Sequence, residues 1–99
     1  MGRIRSGLFR LGRMRLAAVA DSLASALNET TRVFGERVRK RRLELGLSQE
    51  AAAVQCGIHW TQLGKVERGQ RSLRLETIVK IAGGLDIDAG RLVSKLPMP

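Results

Sequence analysis

Between positions 60 and 68 stand Trp60, Thr61, Gln62, Gly64, Lys65 and Arg68. Lys65 can donate to guanine or to a phosphate, and Thr61 can bond a base edge or touch a thymine methyl. At a helical period Trp60, Thr61, Gly64, Lys65 and Arg68 share one outer face, with Gln62 at its edge, while Ile58, Leu63 and Val66 turn inward. An exposed tryptophan is unusual, so Trp60 is either a contact residue or a lid folded back over the core. Gly64 costs about 1 kcal/mol in a helix interior relative to alanine, and a close backbone approach to DNA is a reason to carry it. Gln49, at the start of the preceding helix, and Arg71, in the following loop, add an amide and a cation to the same inventory. This is contact chemistry rather than catalysis. No nucleophile stands beside a base, and no phosphate-binding loop is present. Glu36, Glu44 and Glu50 are spaced as ordinary acids of a helix surface. One cysteine, Cys56, and one histidine, His59, cannot supply a four-ligand zinc site within one chain. No enzyme activity, metal or cofactor is expected.

Two helices must position these residues. Ser48 is placed to cap a helix over Gln49 to Cys56, in which Ala51, Ala52 and Ala53 favour the helical state. Gly57 ends it, since a backbone with positive φ is cheap only for glycine. A second helix follows from Trp60 to Arg68, with Gly69 behind it. His59 holds its N-cap position, where it is a poorer cap than serine or threonine, so a looser start is expected. Two short helices around a glycine turn make a helix-turn-helix unit, whose second helix can enter a DNA major groove.

The chain resembles the Cro/Xre-type helix-turn-helix family of bacterial and phage regulators over about residues 33–93. The resemblance is carried by Phe34-Gly35, Val38-Arg39, Arg42, Gly46-Leu47-Ser48-Gln49-Glu50, Ala53, Gly57-Ile58, Leu63, Val66-Glu67-Arg68-Gly69, Leu75-Glu76-Thr77, Ile81-Ala82 and Leu85. It implies an all-α, five-helix Cro/phage-repressor-like fold that binds double-stranded operator DNA as a homodimer, with the third helix in the major groove. The implied function is a sequence-specific DNA-binding transcriptional regulator, a repressor by the family's habit, in a bacterial cytoplasm. It also implies that Arg42 pairs with Glu67, a structural tie between the first and third helices, and that the Gln49 amide meets a phosphate or a base edge. Where many relatives carry a small or polar residue, this chain has Trp60. Ser72-Leu73 replaces a frequent Asn-Pro, in a loop whose amides and Arg71 can hold phosphates. Small antitoxins share this architecture, so an antitoxin that binds a protein toxin and represses its own operon is the alternative.

Composition is consistent with that reading. A net charge of +9 over 99 residues favours a polyanion or an anionic membrane surface. No apolar run approaches the roughly 20 residues of a membrane span. With one cysteine, no intramolecular disulfide can form, which suits a reducing cytoplasm. Residues 1–15 read as a basic flexible arm, with Arg3, Arg5, Arg10, Arg13 and Arg15 and no acid. The arm can bind phosphates, or on its own a membrane surface. It can equally be a plain tail, or lie upstream of a true start at Met14. Residues 16–30 read as an additional amphipathic N-terminal helix through Leu16, Val19, Ala20, Leu23, Ala26 and Leu27, followed by a linker. Residues 31–96 read as the DNA-binding domain. Its first helix is expected from Arg32 to Leu45, capped by Thr30 or Thr31, with Phe34, Val38 and Leu45 in the core. Arg37, Arg39, Lys40 and Arg41 crowd its middle, where they reach phosphates or water. Val54 is expected in the core and Cys56 as a small buried side chain. On the fourth helix Leu75, Ile78, Val79, Ala82 and Leu85 form an apolar stripe. The fifth helix runs from an Asp88 cap to near Lys95, with Ile87 and Leu92 inward and Val93 and Leu96 offered to a dimer face.

The arm holds arginines but no residue that a motif places to read bases. Deleting residues 1–14 is therefore expected to weaken DNA binding broadly and to leave the selected sequence unchanged. Selection from random duplexes with both proteins measures this, and a changed motif would show the arm to read bases.

Overall fold

The computed structural model describes residues 26–99. The basic arm and most of the additional N-terminal helix lie outside the described residues. Ala26, Leu27 and Asn28, the last positions expected in that helix, are described and are not helical. The described residues form five helices: α1 Glu29–Glu44, α2 Gln49–Cys56, α3 Trp60–Glu67, α4 Leu75–Gly84 and α5 Ala89–Val93. None of them is long and apolar enough to cross a membrane.

α1 begins earlier than Arg32, because Asn28 rather than Thr30 or Thr31 caps it. The Asn28 Oδ1 accepts the Thr31 N–H at 2.9 Å, and the Thr31 hydroxyl accepts the Asn28 N–H at 3.3 Å. This reciprocal pair satisfies two orphan donors at once, a capping box with threonine in the place usual for glutamate. The two threonines have other work. The Thr31 hydroxyl also donates to Gly69 O at 2.8 Å, and the Thr30 hydroxyl to Pro97 O at 2.7 Å. The start of α1 is thereby tied both to the turn after α3 and to the C-terminal tail.

α1 packs on α3 and α5, and α2 packs on α3 and α4. Phe34, Val38, Ala52, Ala53, Cys56, Leu63, Val66, Ile81, Ala82, Leu85 and Leu92 are buried together, with Ile58, Ile78, Ile87 and Leu96 packed against them. Four expected core positions are exposed instead. Leu45 lies beyond the end of α1, and the buried stripe Phe34–Val38 continues one turn on with Arg42. On α2 the buried pair is Ala52 and Ala53, which turns Val54 outward at 81% exposure. On α4 the inward side is centred on Ile81, leaving Leu75 and Val79 exposed at 72% and 58%. α5 stops at Val93, two residues short of Lys95, whose φ of 52° is not helical.

Arg37 and Arg41 turn out to bind protein rather than water or phosphate. Arg37 Nη1 donates to Leu92 O at 3.1 Å and Ser94 O at 2.7 Å, and Arg41 donates to Leu85 O and Asp86 O, both at 2.8 Å. These are carbonyls at the C-terminal ends of α4 and α5, which no intrahelical N–H can satisfy. Cations also suit the negative end of a helix dipole.

α1 and α3 cross at Gly35. A Cβ there would lie 2.3 Å from Val66 O and 2.7 Å from Glu67 O, backbone atoms that cannot step aside. Gly35→Ala should therefore cost at least about 2 kcal/mol despite alanine's better helix propensity. Urea unfolding compares it with Gly83→Ala, where a Cβ meets nothing within 4 Å and stability should hold or rise.

Candidate nucleic-acid interface

The two helices of the motif fold as their local sequence directs. Ser48 Oγ accepts the Ala51 N–H at 3.0 Å, and Gly57 closes α2 in the left-handed conformation at φ 69°. At the head of α3, His59 caps better than its type suggests. Its Nδ1 accepts the Thr61 N–H at 3.2 Å and lies 2.7 Å from the Thr61 hydroxyl oxygen. The imidazole also stacks on Trp60, with centroids 6.0 Å apart and planes at 27°. His59 is thus the N-cap expected, and its hydrogen bond corrects the expectation that it caps poorly: a ring nitrogen does the work of a hydroxyl oxygen. Trp60 itself is half-exposed beside His59 and outside the core, so it is no lid.

Behind α3 lies a buried ion pair. Arg42 Nε meets Glu67 Oε2 at 2.7 Å and Arg42 Nη2 meets Oε1 at 3.0 Å, a two-pronged contact. The third nitrogen, Nη1, donates to Leu47 O at 2.8 Å. Both side chains are buried, at 10% and 2% exposure. Glu67's hydrogen bonds raise the Arg42 pKa still further against the opposing effect of burial, so the guanidinium stays charged.

Gln49 is not the free amide expected at a helix start. It is half-buried, and its Nε2 donates to Glu67 Oε1 at 3.1 Å. Its side-chain oxygen sits above Gly64, as does the end of Arg68. Gly64 is accordingly buried beneath these two side chains rather than bare. Arg68 Nε donates to Gln70 Oε1 at 3.2 Å. Thr61, Lys65 and Arg68 are exposed on the same side as Trp60, and Gln62 is half-buried at the edge. Arg71 is exposed in the loop before α4. The structure therefore brings Gln49 to the face of α3 and keeps Arg42 and Glu67 behind it. Helical spacing identified the α3 face. The bond from Gln49 to Glu67 was missed, since nothing local to either residue signals it.

The remaining chemistry is sparse. Burial pushes the Cys56 thiol pKa up, which disfavours the reactive thiolate. Among the described residues no group of His, Cys, Asp and Glu is placed to hold a metal ion.

The helix-turn-helix family model matches residues 38–92, from the middle of α1 through most of α5. The control protein C.BamHI of Bacillus amyloliquefaciens is 38% identical over 61 residues, covering 61% of this chain and 75% of that protein. The control protein C.MunI of a Mycoplasma species is 34% identical, over 71% of this chain and 96% of that protein. Among solved structures, the restriction-modification controller protein C.AhdI of Aeromonas hydrophila superposes with a TM-score of 0.61 at 44% identity. That match spans 63% of this chain and 94% of C.AhdI.

The geometry ranks three neighbouring arginines of α1. Arg42→Ala would strand the Glu67 carboxylate in the interior, at about 3 kcal/mol. Arg41→Ala loses two carbonyl contacts that water can replace, at about 1 kcal/mol. Arg39 is exposed and its replacement should be near neutral. Chemical denaturation of the three variants should give that order, and equal midpoints for Arg42→Ala and Arg39→Ala would refute the role of the pair.

Proposed function

Since this chain belongs to the Cro/Xre-type helix-turn-helix family of DNA-binding transcriptional regulators, we propose that it binds a two-fold operator as a homodimer, with α3 of each copy in the major groove. The observation that carries this reading is the exposed face of α3. Trp60, Thr61, Lys65 and Arg68 stand outward on a helix held from behind by Glu67 and Arg42. On this reading Thr61, Lys65 and Arg68 meet base edges and Trp60 packs against the groove wall. Gln62 lies at the margin, Gln49 meets the backbone or a base from the start of α2, and Arg71 holds a phosphate.

One recognition helix spans only a few base pairs, and a domain this small gains from pairing. The dimer face best supported is apolar and lies on α4. Leu75 and Val79 are one turn apart and exposed, and Ile78 beside them lines a cleft with Val93 and Leu96. Leu96 was offered as a free dimer residue, but it packs against this chain's own core. Val93 remains available, being 39% exposed.

The relatives named control proteins favour a finer role, the control of a restriction-modification operon, over the antitoxin alternative. A neighbouring endonuclease and methyltransferase gene pair would support it, and a toxin gene in that place would support the antitoxin.

Footprinting on the selected operator should show two protected half-sites about one helical turn, roughly 34 Å, apart. Five base pairs inserted between them should abolish tight binding, and affinity should fall steeply with salt as counterions are released. Equal affinity for one half-site, with one chain per duplex, would refute the dimer. A flat salt response would refute DNA binding through this face.

A further inference from the structure

Gly64 lies beneath two polar side chains that arrive from different elements. A Cβ at this position would lie 3.2 Å from Arg68 Nη1 and 3.5 Å from Gln49 Oε1. Arg68 follows Gly64 by one helical turn, so its side chain, leaning toward the N-terminus of α3, crosses the glycine. Gln49 reaches the same spot from α2. Each is anchored at one atom and open at another. Gln49 Nε2 is spent on Glu67, at 3.1 Å, which turns Oε1 toward Gly64 as an acceptor. Arg68 Nε is spent on Gln70, at 3.2 Å, which leaves its Nη groups as donors with no hydrogen bond among the described residues. An acceptor and a fork of donors thus share one place on the exposed face of α3.

We propose that Gly64 is a specificity-determining position: its missing side chain lets the Gln49 oxygen and the Arg68 guanidinium sit together as one unit that reads a G·C pair. The match is chemical. In the major groove guanine offers two acceptors, O6 and N7, which suit the arginine fork, and its cytosine partner offers the N4 donor, which suits the glutamine oxygen. An A·T pair offers one acceptor and one donor on adenine and only an acceptor on thymine, which leaves part of this unit unpaired. Glycine is a poor helix former, so its presence mid-helix calls for such a reason. A methyl group at 64 would press on the arginine end and the amide oxygen and move them by a few tenths of an ångström. Neither lies in the hydrophobic core, so the fold survives the change. The inference rests on the reading of α3 as the DNA-contacting helix.

The test is sequence selection from random duplexes by the full chain, the Gly64→Ala variant and the Arg68→Ala variant, with melting temperatures for all three. The wild type should fix a G·C pair at one position of each half-site. Gly64→Ala should melt no lower than wild type, because alanine is the better helix former. It should discriminate G·C from A·T at that position on the order of ten-fold less well, with the other positions retained. Arg68→Ala should lose preference at the same position. A Gly64→Ala protein that selects the wild-type motif unchanged would overturn the proposal. So would a loss spread evenly over all positions, or an Arg68→Ala effect at a different base pair. A folded wild type that selects no sequence would overturn the regulator reading itself, and this inference with it. Should Gly64→Ala melt low, Arg68→Ala alone decides, by whether a G·C preference disappears at one position.

Discussion

The Glu67 carboxylate receives donors from two sides: the Arg42 guanidinium of α1 through two nitrogens and the Gln49 amide of α2 through a third. It belongs to the last turn of α3, so one side chain joins three helices. Burying a charge costs several kcal/mol, and a buried pair repays this only when its remaining hydrogen bonds are met. Here they are. Arg42 Nη1 finds Leu47 O, and among the described residues no buried side-chain nitrogen or oxygen lacks a partner. What such a joint adds is direction. Apolar burial is indifferent to orientation, whereas a two-pronged guanidinium–carboxylate contact fixes both distance and plane. The core of Phe34, Val38, Leu63 and Val66 brings α1 and α3 together, and the contact at Gly35 sets how closely. The ion pair fixes how α3 is turned.

α1 serves the rest of the molecule in the same way from its other sides. Arg37 and Arg41 collect the C-terminal carbonyls of α5 and α4. Arg32 is paired with Glu29 and Glu36. Much of the positive charge in this helix is therefore committed to protein partners, and Arg39 and Lys40 are its exposed remainder. A net charge of +9 still draws a polyanion at long range. On the proposed reading, short-range contacts fall to the separate set around α3 and the following loop. The same residue type performs two jobs, and only the fold distinguishes them.

The limits of α2 and α4 were legible because their signals are local: Ser48 before the first, Gly57 after it, and an apolar stripe at helical spacing through the second. The start of α1 was not, since Asn28, Thr30 and Thr31 are all competent caps and only their tertiary bonds to Gly69 and Pro97 choose among them. Core membership failed where a helix is apolar over too wide an arc. Leu75, Ile78, Val79, Ile81, Ala82 and Leu85 cover much of α4, and periodicity cannot say which part turns inward. The Arg42–Glu67 pair was legible only through the family resemblance. Helical spacing alone marked the outer face of α3, but it could not show that Gln49 and Arg68 converge over Gly64, because that meeting depends on the crossing of two helices.

The two ends of α3 are held by different means. At its C-terminal end Glu67 is locked in the interior, and Gly69 O receives bonds from Leu27 N and the Thr31 hydroxyl. Arg68 is mounted on this end, and Gln49 reaches it from α2. At the N-terminal end the contacts are local and exposed: His59 caps Thr61 and stacks on Trp60, with all three open to solvent. Exposed hydrogen bonds between near neighbours in sequence open at low cost, while a buried network opens only with the fold. A ligand lying along α3 therefore meets a fixed end and an adjustable one. On the proposed reading the fixed end sets register, since Gln49 is bonded to the carboxylate of the ion pair. The adjustable end can settle Trp60 and Thr61 against whatever the fixed end brings into reach.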